Sequence, residues 1–486
     1  MSKEIKKLAR HSIIYGIGSS LGAAGSFLLI PLYTHALSTE DYGAVELLYR
    51  LCSILMIVMF LGVRQAYIRY FFDNRADKVW QETVTGSTMV FVALSCAAIL
   101  AVVLPFEGLV RDELLSGHVT DTVMLLALLW IPCDMFLNVG MTYFQIQMRS
   151  IAYVLINVLF VVLYLIANVV LVYWMRLGVQ GVFLAQIGVT GAIAAGVIAY
   201  IAATTRLRVS VEIIRKMVIF GLPLLPAAFF MYLINNADRY FLSLYSGLEE
   251  VGVYALAAKL GTVGTLFLMD PFLKVWSPFL FDNYDKPDGP VLVSRVFTLF
   301  TLACVLVALG VSVFAPIVLP LVTGDEFAGA IVLVPLACLA AVFYSISGLA
   351  DAGILIAKKT KYKPLIAGIA AAVAVAANAA LVPFLGMWGA AIAAVMAMVT
   401  MVFANLHFSN RYYRLPIEWR RILLVFGGAI VTFAICDAVL IWSDHSVAGQ
   451  IGSVLALVSF PLLLWWGRFF TLEELRAIRG IGRRRH

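Results

Sequence analysis

Charge is scarce in this sequence. Only 13% of its 486 residues are Asp, Glu, Lys or Arg, while 63% are hydrophobic and the mean hydropathy is +0.97. A soluble domain needs far more polar surface to cover its core, so that class is excluded. Paired cysteines are missing as well. Cys52, Cys96, Cys133, Cys304, Cys338 and Cys436 stand singly in apolar runs, without metal-type spacing, and read as small packing residues. There is no Walker phosphate loop, which excludes an ATPase of that type, and no nucleic-acid motif. Nothing in the composition calls for a cofactor or a resident metal. Long polar segments are also lacking. The longest outer loop expected, about residues 107–120, is too short for the catalytic domain of a glycosyltransferase or polymerase, and its Glu107, Asp112, Glu113 and His118 read as solvated residues.

What the chain has in abundance is apolar runs of about 20 residues, the length that crosses ~30 Å of hydrocarbon. Breaking it at polar, Gly and Pro punctuation predicts an all-α polytopic membrane protein of about fourteen helices. These lie near 11–37, 44–70, 83–106, 121–147, 151–175, 180–203, 213–245, 251–280, 291–322, 328–357, 362–384, 388–409, 420–442 and 447–467. The first run is too long for a signal peptide and reads as a retained helix. Basic clusters fall in alternate loops: Lys3/Lys6/Lys7/Arg10, Arg206/Arg208/Arg215/Lys216, Lys358/Lys359/Lys361/Lys363, Arg411/Arg414/Arg420/Arg421, and the tail "RAIRGIGRRRH". Arg111 and Arg176 are the exceptions on the other side, where loops such as "STEDYG", "GLEE" and "TGDE" are acidic or neutral. The positive-inside rule then puts both termini in the cytoplasm. Basic loops at that leaflet account for the net charge of +7 without any nucleic acid.

Two echoes point to duplication. At an offset of 209 (252 − 43), Glu40, Asp41, Gly43, Leu47 and Arg50 align with Glu249, Glu250, Gly252, Leu256 and Lys259. At an offset of 208 (385 − 177), "LGVQGVFLA" aligns with "LGMWGAAIA". A six-helix unit repeated in parallel predicts two lobes, 1–209 and 210–415, around a central cavity. Residues 416–486 add helices thirteen and fourteen and a basic cytoplasmic tail.

Four cations remain inside apolar runs: Arg50, Arg64, Arg239 and Lys259. Each costs about 2.5–3.5 kcal/mol at a lipid-facing helix centre, so each needs a watery cavity or a carboxylate. Arg50 and Lys259 lie seven residues beyond their aligned glycines, about 10 Å along a helix. Glu46, one turn before Arg50, can pair with it; Asp134, Asp238, Asp270 and Asp351 are further counter-ion or ion-coupling candidates. A cavity rich in cations suits an anionic ligand, and phosphate or diphosphate is the natural partner of Arg and Lys. Tyr42, Tyr49, Tyr240, Tyr245 and Tyr254 lie nearby, where tyrosines stack on sugars or simply pack. Gly16 and Gly18 in helix one, with Gly221, Pro223 and Pro226 in helix seven, mark places where those helices can bend or pack closely.

These residues carry a family likeness. "ADRYFLSLYSGLEEVGVYALAAKL", "SFLLIPLYTHALSTEDYGAVELL" and "FLGVRQAYIRYFF" resemble segments of the Wzx-like polysaccharide-unit flippases of the multidrug/oligosaccharidyl-lipid/polysaccharide exporter superfamily. The resemblance implies a non-enzymatic transporter of the bacterial inner membrane, with twelve plus two helices. It would move undecaprenyl-diphosphate-linked oligosaccharide, such as an O-antigen, capsule or exopolysaccharide unit, to the outer leaflet by alternating access. It also implies H+ or Na+ coupling in some members, and polysaccharide polymerase and chain-length proteins as partners alongside membrane lipid. By position, it gives the lipid diphosphate to Arg50 and Lys259, with Arg239 and Arg64 as further candidates. The rival readings are a multidrug or organic-cation exporter of the same superfamily, which would show the cavity cations paired with acids, and a non-catalytic membrane subunit of a polysaccharide synthase complex.

Overall fold

In a computed structural model, the structure describes residues 25, 27–74, 77–115, 117–443 and 447–469, with backbone alone at 263–267, 270–271, 274 and 447–448. Gly16, Gly18, the amino-terminal cluster and the basic tail lie outside the described residues, as does the side chain of Asp270. Among the described residues there is no strand. Eleven helices there are long and apolar enough to cross a membrane, which makes this a multi-pass membrane protein.

In chain order the first half comprises α1 (Phe27–Ala36), α2 (Thr39–Phe60), α3 (Val63–Asp73), α4 (Lys78–Val103), α5 (Glu107–Leu114), α6 (Asp121–Ile146), α7 (Ser150–Asn168), α8 (Gly178–Thr204), α9 (Val211–Gly221) and α10 (Leu225–Tyr245). The second half comprises α11 (Leu248–Asn283), α12 (Gly289–Val322), α13 (Val334–Ala350), α14 (Ala352–Ile356), α15 (Tyr362–Ser409), α16 (Trp419–Trp442), α17 (Val447–Ala456) and α18 (Ser459–Trp466). Two compact units result. One is Met1–Val253 with Val322–Phe327; the other is Tyr254–Leu321 with Ala328–His486.

Local chemistry explains where the helices of the first unit start. Ser38 Oγ accepts from Asp41 N at 3.1 Å, and Glu40 and Asp41 occupy the first turn of α2, where the helix dipole favours negative charge. Asp77 caps α4 in the same way, accepting from Val79 N at 2.8 Å and Trp80 N at 3.2 Å. The loop expected to be merely solvated is tethered: α5 is a short helix, and His118 Nε2 lies 2.9 Å from Asp41 Oδ1.

The second and seventh spans, each expected as one helix, are both broken. Leu61 (φ 45°) and Gly62 (φ 68°) separate α2 from α3. A 3-10 turn over Leu222–Leu224 separates α9 from α10. Pro223 and Pro226 fall in the first turns of the new segments, where a missing N–H costs nothing. The two breaks touch: a Cβ on Gly221 would lie 2.0 Å from Leu61 O, and one on Gly62 2.7 Å from Gly221 O. Only glycine allows backbones this close.

The second unit packs around an aromatic core in which Trp276, Phe297 and Phe460 are buried, with Phe272 and Phe300 stacked at 4.1 Å. The spans expected at 362–384 and 388–409 are two helices that meet within α15 across a kink at Gly386, whose backbone is not helical (φ 53°, ψ −132°). All six cysteines are free thiols; five are buried and Cys133 is half-buried.

Candidate functional site

The polar groups of the first unit converge where α2 meets α10. Arg50 sits on the fourth turn of α2, and its Nη2 donates to Glu46 Oε2 at 2.9 Å. The acid is 6% exposed and the guanidinium 32%, so the pair has a dry end and an open end. Arg50 Nε is buried and has no hydrogen-bond partner among the described residues, so the exposed part of the guanidinium lies at its other atoms. Across from it, Tyr232 of α10 donates its hydroxyl proton to the backbone oxygen of Arg50 at 2.7 Å. A hydroxyl has one proton to give, so the 2.5 Å contact between Tyr232 and Tyr240 is a donation from Tyr240. The chain Tyr240–Tyr232–Arg50 thus ties the two helices together beneath the cation.

Two turns beyond Tyr232 on α10, Arg239 Nη1 donates to Asp238 Oδ1 at 3.0 Å and to Asn235 O at 3.1 Å. Both side chains are buried, at 8% and 7% exposure. Such a pair repays its desolvation only through close geometry and added hydrogen bonds, and Asp238 Oδ1 also accepts Arg239 N at 2.8 Å.

On the far side of α2, Tyr49 lies 2.9 Å from Tyr164 and 3.4 Å from Gln186 Oε1. Tyr164 lies 3.2 Å from Tyr33, which donates to Asn168 Oδ1 at 2.6 Å. These tyrosines form a hydrogen-bonded packing network; Tyr42 packs edge-on against Phe327.

The other candidates are dispersed. Arg64 opens α3 as an exposed residue, with Nε 3.3 Å from Thr142 Oγ1. Asp134 is half-buried on α6, where Asn138 Nδ2 donates to its Oδ2 at 2.8 Å. In the second unit, Lys259 is half-buried on α11. Asp351, at the junction of α13 and α14, is bound by Lys363 Nζ at 2.8 Å, beside the basic 358–363 cluster. The sequence reading does not single out Tyr232, because no spacing rule links a tyrosine on one helix to the backbone of another.

Near the acidic ends of the helices, the two aligned glycines meet within the first unit. A Cβ on Gly43 would lie 2.0 Å from Leu248 O, and one on Gly252 would lie 2.1 Å from Thr39 O. Leu248 precedes Gly252 by four residues, as Thr39 precedes Gly43, so the contact is reciprocal. From this crossing, Arg50 and Lys259 each follow after seven residues of helix. Among the described residues, no group of His, Cys, Asp and Glu could hold a metal ion.

Residues 8–283 match the model of a family described as polysaccharide biosynthesis protein. None of the curated protein sequences matches the chain. Among solved structures, the lipid II flippase MurJ in an inward closed conformation superposes with a TM-score of 0.73 at 10% identity, over 95% of this chain and 98% of that one. An inward-facing multidrug resistance MATE transporter of the MOP superfamily gives 0.61 at 16%, over 84% and 94%. An outward-facing one gives 0.55 at 17%, over 84% and 95%. The fold is the one these transporters share.

Proposed function

The chain belongs to the polysaccharide biosynthesis protein family, and from that premise we propose that it is a flippase for a lipid-diphosphate-linked oligosaccharide. The cargo is an O-antigen, capsule or exopolysaccharide unit on undecaprenyl diphosphate. It is carried from the cytoplasmic to the outer leaflet of the bacterial inner membrane by alternating access, with both termini cytoplasmic. Polymerase and chain-length proteins would take over the product. The likeness in fold to a lipid II flippase supports the class of cargo, lipid-linked and anionic.

The observation that carries the reading is Arg50: a guanidinium on an apolar helix, anchored to Glu46 through one nitrogen while a third of the side chain stays exposed. That is how a cation is kept available for phosphate oxygens. Lys259, its counterpart at the 209 offset, is the second cation proposed for the lipid diphosphate. Arg64 and Arg239 are secondary: the first is exposed, and the second engages only if its contact with Asp238 opens. Glu46, Asp134 and Asp351 are the carboxylates proposed for H+ or Na+ coupling. The test is flipping of a fluorescent lipid-linked oligosaccharide in proteoliposomes. R50A/K259A should insert normally and lose transport; normal flipping by this variant would remove both residues from the site.

A second reading has one observation in its favour. Arg50 and Arg239 each contact an acid, the pattern expected of an organic-cation exporter, and MATE transporters share the fold. Efflux of a fluorescent organic cation, with no flipping of lipid-linked sugar, would select it.

A further inference from the structure

The second unit holds a half-open cavity of about 400 Å³ lined by residues of α12, α13, α15, α16 and α17, far along the chain from Arg50, with Asp437 exposed at its edge. Its wall is apolar, with Trp388 and Phe433 the largest side chains, but Asp437, Ser312 and Ser453 also line it. Asp437 is an acid inside a membrane-spanning helix, five residues before Trp442 and so about 7.5 Å from it along the axis. Trp442 is 92% exposed and sits where an interfacial tryptophan belongs. Side chains tilt toward a helix's amino terminus, so the carboxylate leans away from the nearer membrane surface and cannot rise to it. Among the described residues, no lysine, arginine or histidine pairs with it and no donor binds it. An ionisable group in that position demands a partner.

The neighbours of the acid say which partner. Ser312 Oγ donates to Ala308 O at 2.8 Å, so the serine has only lone pairs to offer the cavity. A carboxylate and a hydroxyl acceptor together call for a cation that carries N–H donors. Outside the cavity, Ile430, Val431, Ile435 and Ile441 of α16 are exposed, and in a membrane that face meets lipid. We propose that this cavity binds an aminophospholipid, its ethanolamine ammonium on Asp437 and Ser312 and an acyl chain along the apolar wall. A choline head group cannot donate hydrogen bonds to these acceptors, and a phosphatidylglycerol head group brings no cation to the acid.

The full-length protein would be exchanged into bicelles containing equimolar phosphatidylethanolamine, phosphatidylcholine and phosphatidylglycerol with identical chains. Native mass spectrometry then counts the lipids retained. Phosphatidylethanolamine should be enriched about fivefold over either competitor, an effect of the size of one ion pair. D437N should bring that ratio to about one, while D437E keeps most of it. S312A should lower it by about half, and it decides the matter if D437N does not yield monodisperse protein. Equal retention of all three lipids by the unaltered protein overturns the proposal, as does enrichment of phosphatidylglycerol. Enrichment of phosphatidylcholine also overturns it, and assigns the cavity to a quaternary ammonium held by Trp388 and Phe433. Unchanged enrichment in D437N removes the acid from the site.

Discussion

Gly43 and Gly252 are packed so closely that each excludes a side chain from the other: an added Cβ would meet Leu248 O at 2.0 Å in one case and Thr39 O at 2.1 Å in the other. The atoms in the way are backbone, which cannot swing aside as a side chain can. G43A and G252A should therefore each lower stability by about 1–3 kcal/mol, the usual cost of overpacking. The double variant should cost less than the sum, because one separation relieves both clashes. G310A, with nothing within 4 Å of the added carbon, should leave the unfolding temperature in detergent unchanged or slightly higher.

The pair Glu46–Arg50 divides its work between holding and binding. E46Q removes the charge that anchors the guanidinium, at a cost of about 1–3 kcal/mol for a hydrogen bond to a charged group. A thermal-unfolding cycle of E46Q, R50A and the double variant should give a coupling of about 0.5–3 kcal/mol. R50K should keep part of the transport activity and E46Q should lower it less than R50A does. Transport lost equally in E46Q and R50A would mean that the pair serves packing alone.

Asp238 and Arg239 are both nearly sealed from solvent, so breaking the pair is costly. D238N should destabilise by about 3–5 kcal/mol, whereas D238L/R239M, which removes both charges at similar volume, should recover much of that loss. Recovery of transport in the double variant would assign Arg239 to structure rather than to the head group.

Helix seven is broken at Leu222–Leu224 without need of a cis bond or an inserted residue, and Pro223 and Pro226 stop it from healing. P223A/P226A should hold or raise the unfolding temperature while slowing flipping several-fold, if bending at this point accompanies transport. An unchanged rate would leave the break as packing against Leu61 and Gly62.

Much of this protein can be read from its sequence because the bilayer constrains it so strongly. Apolar runs of membrane length, basic residues in alternate loops and lone cysteines in apolar runs each have one economical meaning in a membrane. That was enough to give an all-helical multi-pass membrane protein, and the quoted motifs gave its family. The i,i+4 spacing gave Glu46–Arg50, and the 209 offset gave Gly43 and Gly252 as equivalents. Spacing along one chain says nothing about which helix lies beside which. Only the tertiary structure put Gly43 against Gly252, brought the hydroxyl of Tyr232 to the backbone of Arg50, and set the break at Leu61–Gly62 upon that at Gly221. It also set Asp437 beside a cavity, because cavity lining and the lack of a counter-ion are properties of neighbours in space.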